Sequence, residues 1–308
     1  MLVLFFCHSQ PQLTEIKEFG ENPGNLKMFM HIPLETDSLN QKPLVIALHG
    51  CSQKSKDLAS ITDWNKLADQ NDFVMLYPEQ KLMNNMSGCF NWFRLEDISI
   101  NSGELLSLKN MIDYAISHYH IDTSLIYVYG LSAGAAMAVA MMAVYPNYFK
   151  AGAIFAGAPY KIATNTKEAI IAMNNTINKS PEEWASLVPS GNTSDTFPKL
   201  ILYHGNQDKI VNIQNSYELI DQWSALMQID TIPDHIDTNY QSPNVTRIVY
   251  TDSANVEKVI FYKILNIGHA VAVDPDSEPQ QGGKTDLFAR DIGFFSTYYV
   301  AKELGLIR

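Results

Sequence analysis

The chain has 308 residues, 46% hydrophobic and 18% charged, a composition that excludes an intrinsically disordered chain and is enough for one large core. Lys and Arg number 22 against 33 Asp and Glu, a formal net charge of -11 with no local basic patch, which argues against nucleic acid and for a neutral or weakly charged substrate. No apolar run approaches the ~20 residues needed to cross a bilayer, so an integral membrane segment is also excluded.

Residues 1–12 open on the apolar run Leu2 to Cys7, which reads either as the remnant of a secretion signal or as an N-terminal strand. From 13 to 308 the turn residues fall between short apolar runs, without a repeat or a long linker, and this predicts a single domain. Leu13 to Pro33 alternates on both sides of Gly20-Glu21-Asn22-Pro23-Gly24 and predicts an opening β-hairpin. Apolar, β-branched runs then follow at Leu44 to Leu48, Phe73 to Tyr77, Ile126 to Tyr129, Ala153 to Ala156, Leu200 to Tyr203 and Val259 to Leu265. Segments of helical length separate most of them. Strand and helix in alternation imply parallel pairing with helices on both faces, an α/β fold.

Asp63 to Asn71, Leu105 to His118 and Ala133 to Val144 carry apolar residues at three-and-four spacing, and Phe288 to Leu304 predicts a closing helix. Two stretches, 161–199 and 228–247, fit a sheet poorly and are expected to be insertions over the strand ends that shape a pocket.

Gly130-Leu131-Ser132-Ala133-Gly134 directly follows the strand Ile126 to Tyr129 and opens an Ala- and Met-rich helix. In that context the G-x-S-x-G pattern places a serine on a strained turn, its hydroxyl raised above the sheet, with helix N–H groups behind it. A serine hydroxyl needs a base, and the base needs an orienting carboxylate. Beyond Ser132 only His204, His235 and His269 remain. His269 lies in Gly268-His269-Ala270 after the last strong strand and is the candidate base, whereas His235 reads as a solvated loop residue and His204 as a structural residue of a turn. Asp208, in His204-Gly205-Asn206-Gln207-Asp208, follows a strand end and fits the chain order serine, acid, histidine better than Asp195, Asp221, Asp230, Asp234, Asp237 or Asp252.

A second backbone donor for an oxyanion would come from the strand ending Leu48-His49-Gly50-Cys51. The N–H of Cys51 would join that of Ala133, with His49 bracing the loop by hydrogen bonding. Trp92 and Phe93, with Asn91 as a polar contact, are candidates for the substrate cleft. The three cysteines, Cys7, Cys51 and Cys89, are too few for a disulfide scaffold and lack the spacing of a zinc site.

Together these residues resemble the esterase family named for polyhydroxybutyrate depolymerase, within the α/β-hydrolase fold. The resemblance runs from about Pro43 to the C-terminal helix. Its carriers are Ala47 to Cys51, Tyr77-Pro78-Glu79-Gln80, Gly88 to Phe93, Gly130 to Gly134, Ala156-Gly157-Ala158-Pro159-Tyr160, His204 to Asp208 and Gly268 to Ala270. It implies Ser132 as nucleophile, Asp208 and His269 as its partners, and His49 as the histidine of the oxyanion loop.

It also implies carboxylic ester hydrolysis without a metal or organic cofactor, and a secreted or periplasmic location, with the cytoplasm as alternative. The expected substrate is a 3-hydroxyalkanoate ester or oligomer, with feruloyl or acetyl groups on plant polysaccharide as the alternative. The chain ends soon after its closing helix, which favours soluble oligomers or amorphous material over crystalline polymer. Cys51 and Cys89 are expected to pair in an exported chain, because the segment 88–93 should fold back near the His49 loop. The rival readings are a peptidase of the same fold and, from another class, a non-catalytic binding protein on a hydrolase scaffold.

Overall fold

A computed structural model describes residues 13–33, 40–189 and 197–307. The run Leu2 to Cys7 and the whole of 1–12 lie outside them. The opening hairpin pairs β1 (Thr14–Ile16) with β2 (Lys27–His31). The chain continues through β3 (Lys42–Leu48), α1 (Ser55–Thr62), α2 (Trp64–Asn71), β4 (Val74–Glu79), α3 (Gly103–His118), β5 (Ile121–Leu131), α4 (Ala133–Val144) and β6 (Ala151–Phe155). Next come α5 (Thr166–Asn174), α6 (Pro181–Ala185), β7 (Lys199–Gly205), α7 (Gln214–Met227), β8 (His235–Asp237), β9 (Val245–Thr251) and β10 (Glu257–Ile264). The small strands β11 (Val271–Val273) and β12 (Ala289–Asp291) precede α8 (Ser296–Glu303).

Ten strands form one sheet in the order β1-β2-β4-β3-β5-β6-β7-β10-β9-β8. The six from β4 to β10 are mutually parallel, and the pairs at each edge run antiparallel. Side chains alternate between two cores, as the period of a strand requires. On β3, Leu44, Ile46 and Leu48 face α3, α4 and α7, while Val45 and Ala47 face α1, α2 and α8. Every residue of α4 is buried, which explains its unbroken apolar composition. This is the α/β-hydrolase fold, with all parallel strands ending at one edge.

Two expectations change. The segment 228–247 is not an insertion over the strand ends: β8 and the start of β9 extend the sheet at its edge, and the exposed His235 begins a strand that pairs with Val249 instead of sitting in a loop. Short edge strands are polar and solvated on one side, so they lack the apolar runs that mark central strands. The predicted closing helix is also shorter, because Ala289–Asp291 pairs with Val271–Val273 and the helix begins only at Ser296. The earlier insertion, by contrast, forms α5 and α6, whose Ala169, Ala172 and Trp184 pack into the core beside α7.

Candidate active site

Strand β5 ends at Leu131, and the chain turns into α4 through Ser132 at φ 57° and ψ −119°. A non-glycine residue in that region is strained and must be held by its surroundings. Here the Ser132 N–H donates to the carbonyl of Phe155 at 2.8 Å, while the Ser132 carbonyl accepts the first helical bond from Ala136 at 3.0 Å. The flanking glycines permit the turn: a Cβ on Gly134 would lie 2.3 Å from the Leu48 carbonyl oxygen, and one on Gly130 would lie 2.4 Å from that of Gly134. The first N–H groups of α4 have no intrahelical acceptor and carry the positive end of the helix dipole.

The loop after β3 approaches from the side. A Cβ on Gly50 would sit 3.5 Å from the Ser132 Cβ. His49, fully buried, donates from Nδ1 to the Gly50 carbonyl at 2.7 Å and accepts the Gln80 N–H at Nε2 at 3.1 Å. Burial lowers its pKa to about 4, against the smaller pull of the Gly50 hydrogen bond, so the ring is neutral and its tautomer is fixed by those two partners. Gln53 Oε1 accepts the Gly50 N–H at 2.9 Å. Cys51 is disulfide-bonded to Cys89, with Cα atoms 4.2 Å apart, which ties this loop to the segment bearing Trp92.

Two strands further along, Gly205 and Ile264 end β7 and β10 side by side, and the following turns are cross-linked by Asn206 N–H to Ile264 O at 2.8 Å and Gln207 N–H to Ile267 O at 3.0 Å. These turns bring Asp208 Oδ2 to 2.6 Å from His269 Nδ1. The carboxylate is enclosed, and Oδ1 accepts the N–H groups of Ile210 and Val211 at 2.8 and 2.9 Å. Burial alone would push its pKa up. The hydrogen bonds from His204 and His269 and from the Val211 N–H outweigh that and hold it well below the usual carboxylate range. An ionised Asp208 requires the His269 proton on Nδ1, which leaves the lone pair on Nε2.

His204 is closer to this chemistry than a turn residue would be. Its Nε2 lies 3.3 Å from Asp208 Oδ2 and 2.9 Å from the Val211 carbonyl, and its Nδ1 faces Ser216 Oγ at 2.7 Å. Its one trace in the sequence is its position four residues before Asp208, near the end of an apolar run.

A cleft of about 290 Å³, open solvent at its mouth included, is lined by Ser132 and Ala133, Cys51, Trp92, Ala136, Ala156 to Ala158, Met173 and Val211. No lining side chain is charged. Two sequence candidates do not line it. Asn91 is turned inward, its side chain bonded to Glu104 at 2.7 Å and to Asn85 at 2.9 Å. Phe93 packs edge-on against Trp92 at 5.4 Å, behind the wall. An aromatic or amide side chain buys more by filling the core than by facing water, so only Trp92 of the three borders the cleft. Met173 and Val211 were not singled out, since neither residue type signals a site. Ser132 and His269 share no hydrogen bond among the described residues, a common state before substrate binds.

Among the described residues no group of three or more His, Cys, Asp or Glu is arranged to hold a metal ion, and no helix is long and apolar enough to cross a membrane.

Fold and site define a serine carboxylic ester hydrolase of the α/β-hydrolase class. The chain belongs to the esterase PHB depolymerase family, whose model matches residues 27–235. It is 37% identical to the poly(3-hydroxyalkanoate) depolymerase C of Paucimonas lemoignei over 297 residues, covering 96% of this chain and 70% of that one. A feruloyl esterase B of Talaromyces funiculosus is 30% identical over 85% of this chain and 74% of its own length. Among solved structures, the acetyl xylan esterase from Aspergillus awamori superposes with a TM-score of 0.76 at 26% identity, covering 84% of this chain and 94% of that one.

Proposed function

We propose that the chain hydrolyses 3-hydroxyalkanoate esters, as poly(3-hydroxybutyrate) or its oligomers, through an acyl-enzyme on Ser132. The observation that carries the reading is the 2.6 Å bond between Asp208 and His269 at the same sheet edge as the strained Ser132 turn. Nε2 of His269 takes the Ser132 proton as the hydroxyl attacks the ester carbonyl. Asp208 fixes the tautomer and stabilises the imidazolium. The N–H groups of Ala133 and Cys51 receive the oxyanion. His269 then protonates the departing alcohol, and water repeats the sequence to release the acid.

Small uncharged lining residues suit a short aliphatic acyl group, and the depolymerase relative acts on this chemistry by its name. Leu82 is 64% exposed and Met83 and Met86 each 93%, on the loop that precedes Cys89, so apolar side chains are available to a polyester chain. The Cys51–Cys89 bond supports an oxidising compartment outside the cytosol. A second reading, acetyl or feruloyl release from plant polysaccharide, is favoured by the acetyl xylan esterase superposition.

The test is fluorophosphonate labelling followed by parallel turnover of a 3-hydroxybutyrate trimer, methyl ferulate and acetylated xylan. Labelling at Ser132 and preference for the trimer are expected. A folded protein that resists the label sinks the mechanism, and preference for ferulate or xylan replaces the substrate.

A further inference from the structure

Glu104, the second residue of α3, is 0% exposed and no cation partners it among the described residues. Three donor groups from two residues reach its carboxyl oxygens. Oε1 accepts Gln80 Nε2 at 2.5 Å and Asn91 Nδ2 at 2.7 Å, and Oε2 accepts the Asn91 N–H at 2.9 Å. Asp97 Oδ1 accepts the Glu104 N–H at 3.2 Å. The far side is sealed by Gly24, where an added Cβ would lie 2.6 Å from the Glu104 Cα. Burial, and after it the charge of Asp97, pushes this carboxyl up to about 8 against the pull of the donors from Asn91 and Gln80. Burial without a cation drives a carboxyl toward its neutral form, and its accepting oxygens must still be met by donors.

The partners are informative. Gln80 gives its side chain to Glu104 and its backbone N–H to His49 Nε2, and His49 Nδ1 holds the Gly50 carbonyl. A continuous hydrogen-bonded path therefore runs from Glu104 to the loop that carries the Cys51 N–H. The second branch ends at Asn91, between the bonded Cys89 and the cleft residue Trp92. Both walls flanking Ser132 are bonded back to one carboxyl group.

We propose that Glu104 is a positioning residue for ester hydrolysis, setting the oxyanion loop through Gln80 and His49, an assignment that rests on the serine-esterase reading above. Such a residue acts on the transition state, because a displaced oxyanion donor weakens binding of the tetrahedral oxyanion more than binding of the ester. The amide of Glu104→Gln keeps the volume but replaces one accepting oxygen by an NH2 group, which cannot accept from Asn91 or Gln80.

The experiment compares Glu104→Gln, Gln80→Leu and the double variant with the wild type on a soluble ester, with kcat normalised to fluorophosphonate-titrated sites and Tm measured alongside. Each single variant is expected to lose about tenfold or more in kcat with KM within about threefold. The double variant is expected to be no slower than the slower single one, since both cut the same path. A kcat within twofold of wild type in Glu104→Gln, whether or not Tm falls, overturns the proposal, as do losses that multiply in the double variant. If Glu104→Gln does not fold, Gln80→Leu decides alone: lost kcat supports the path and retained kcat overturns it. A wild type that hydrolyses the ester and takes the label keeps the esterase reading intact whichever way the variants fall, and a wild type that does neither removes both.

Discussion

Ser132 keeps its strained conformation because Gly130 and Gly134 let the neighbouring backbone close around the turn and the Phe155 carbonyl accepts its N–H. Ser132→Ala should lower kcat by roughly 10⁴- to 10⁶-fold with little change in Tm, and Asp208→Asn by about 10⁴-fold through loss of the His269 tautomer. Initial rates and thermal melts on the same preparations check both, and an Asp208→Asn enzyme near wild-type rate would leave the Asp208–His269 bond without a catalytic purpose. His49 supplies a pH prediction. Its folded pKa of about 4 lies below the unfolded value of 6.5, so the unfolded chain binds the proton first. The resulting stability is present above about pH 6.5 and is lost as pH falls from there toward 4, a change on the order of 3 kcal/mol for this group. Denaturant midpoints measured across that window should fall with acid in the wild type and fall less in His49→Asn.

Helix α5 is held where it borders the cleft by hydrogen bonds to the Asp208 turn and to the start of α7. Met173 O accepts the Asn212 N–H at 2.7 Å, Ala172 O accepts Asn215 Nδ2 at 3.0 Å, and the neighbouring Val211 N–H is already on Asp208. These bonds tie α5 to the Asp208 turn, and Met173 presents its side chain to the cleft from that helix. Met173→Ala should widen the cleft and raise kcat/KM for hexanoyl over acetyl esters by about tenfold relative to wild type, following the usual worth of a methylene or two in a pocket. A series of p-nitrophenyl esters reads this out, and an unchanged chain-length profile would remove Met173 from substrate selection. The disulfide spans 38 residues and joins the His49 loop to the Trp92 segment. Cys51→Ser with Cys89→Ser should destabilise the protein by about 2–4 kcal/mol and lower kcat as well, because the same bond restrains the loop. Urea titration and rates on the double variant check the two effects separately.

At the scale of the molecule, one stabilising ionic cluster lies apart from the cleft. Arg247 on β9 bonds Glu257 on β10 at 2.8 and 2.9 Å and Glu303 on α8 at 3.0 Å, and Tyr262 gives its hydroxyl to Glu303 at 2.7 Å. Lys199 at the start of β7 completes this cluster, at 3.1 Å from Glu303. It clamps α8 onto the sheet and shares no residue with the cleft. Arg247→Met should therefore cost about 1–3 kcal/mol of stability, since Glu303 and Glu257 keep only Lys199 as their cation, while kcat on a soluble ester stays within about twofold. A loss of rate without a loss of stability would mean that the cluster communicates with the active edge.

The sequence by itself determined the alternation of central strands and helices, the serine turn, and the two side chains, Asp208 and His269, that meet at 2.6 Å. Each of those signals is local: an apolar run, a glycine pair two residues either side of Ser132, a polar residue just past a strand end. Tertiary structure alone decided that Gln228 to Arg247 completes the sheet, that Asn91 turns inward, that Met173 reaches the cleft and that His204 backs Asp208. These depend on pairings between residues far apart in the chain. Neither an exposed edge strand nor a buried amide carries a periodicity that would disclose its partner. The bonding of the His49 loop to the buried Glu104 through Gln80 is the clearest case, since a glutamate in the first turn of a helix more often sits at a solvated end.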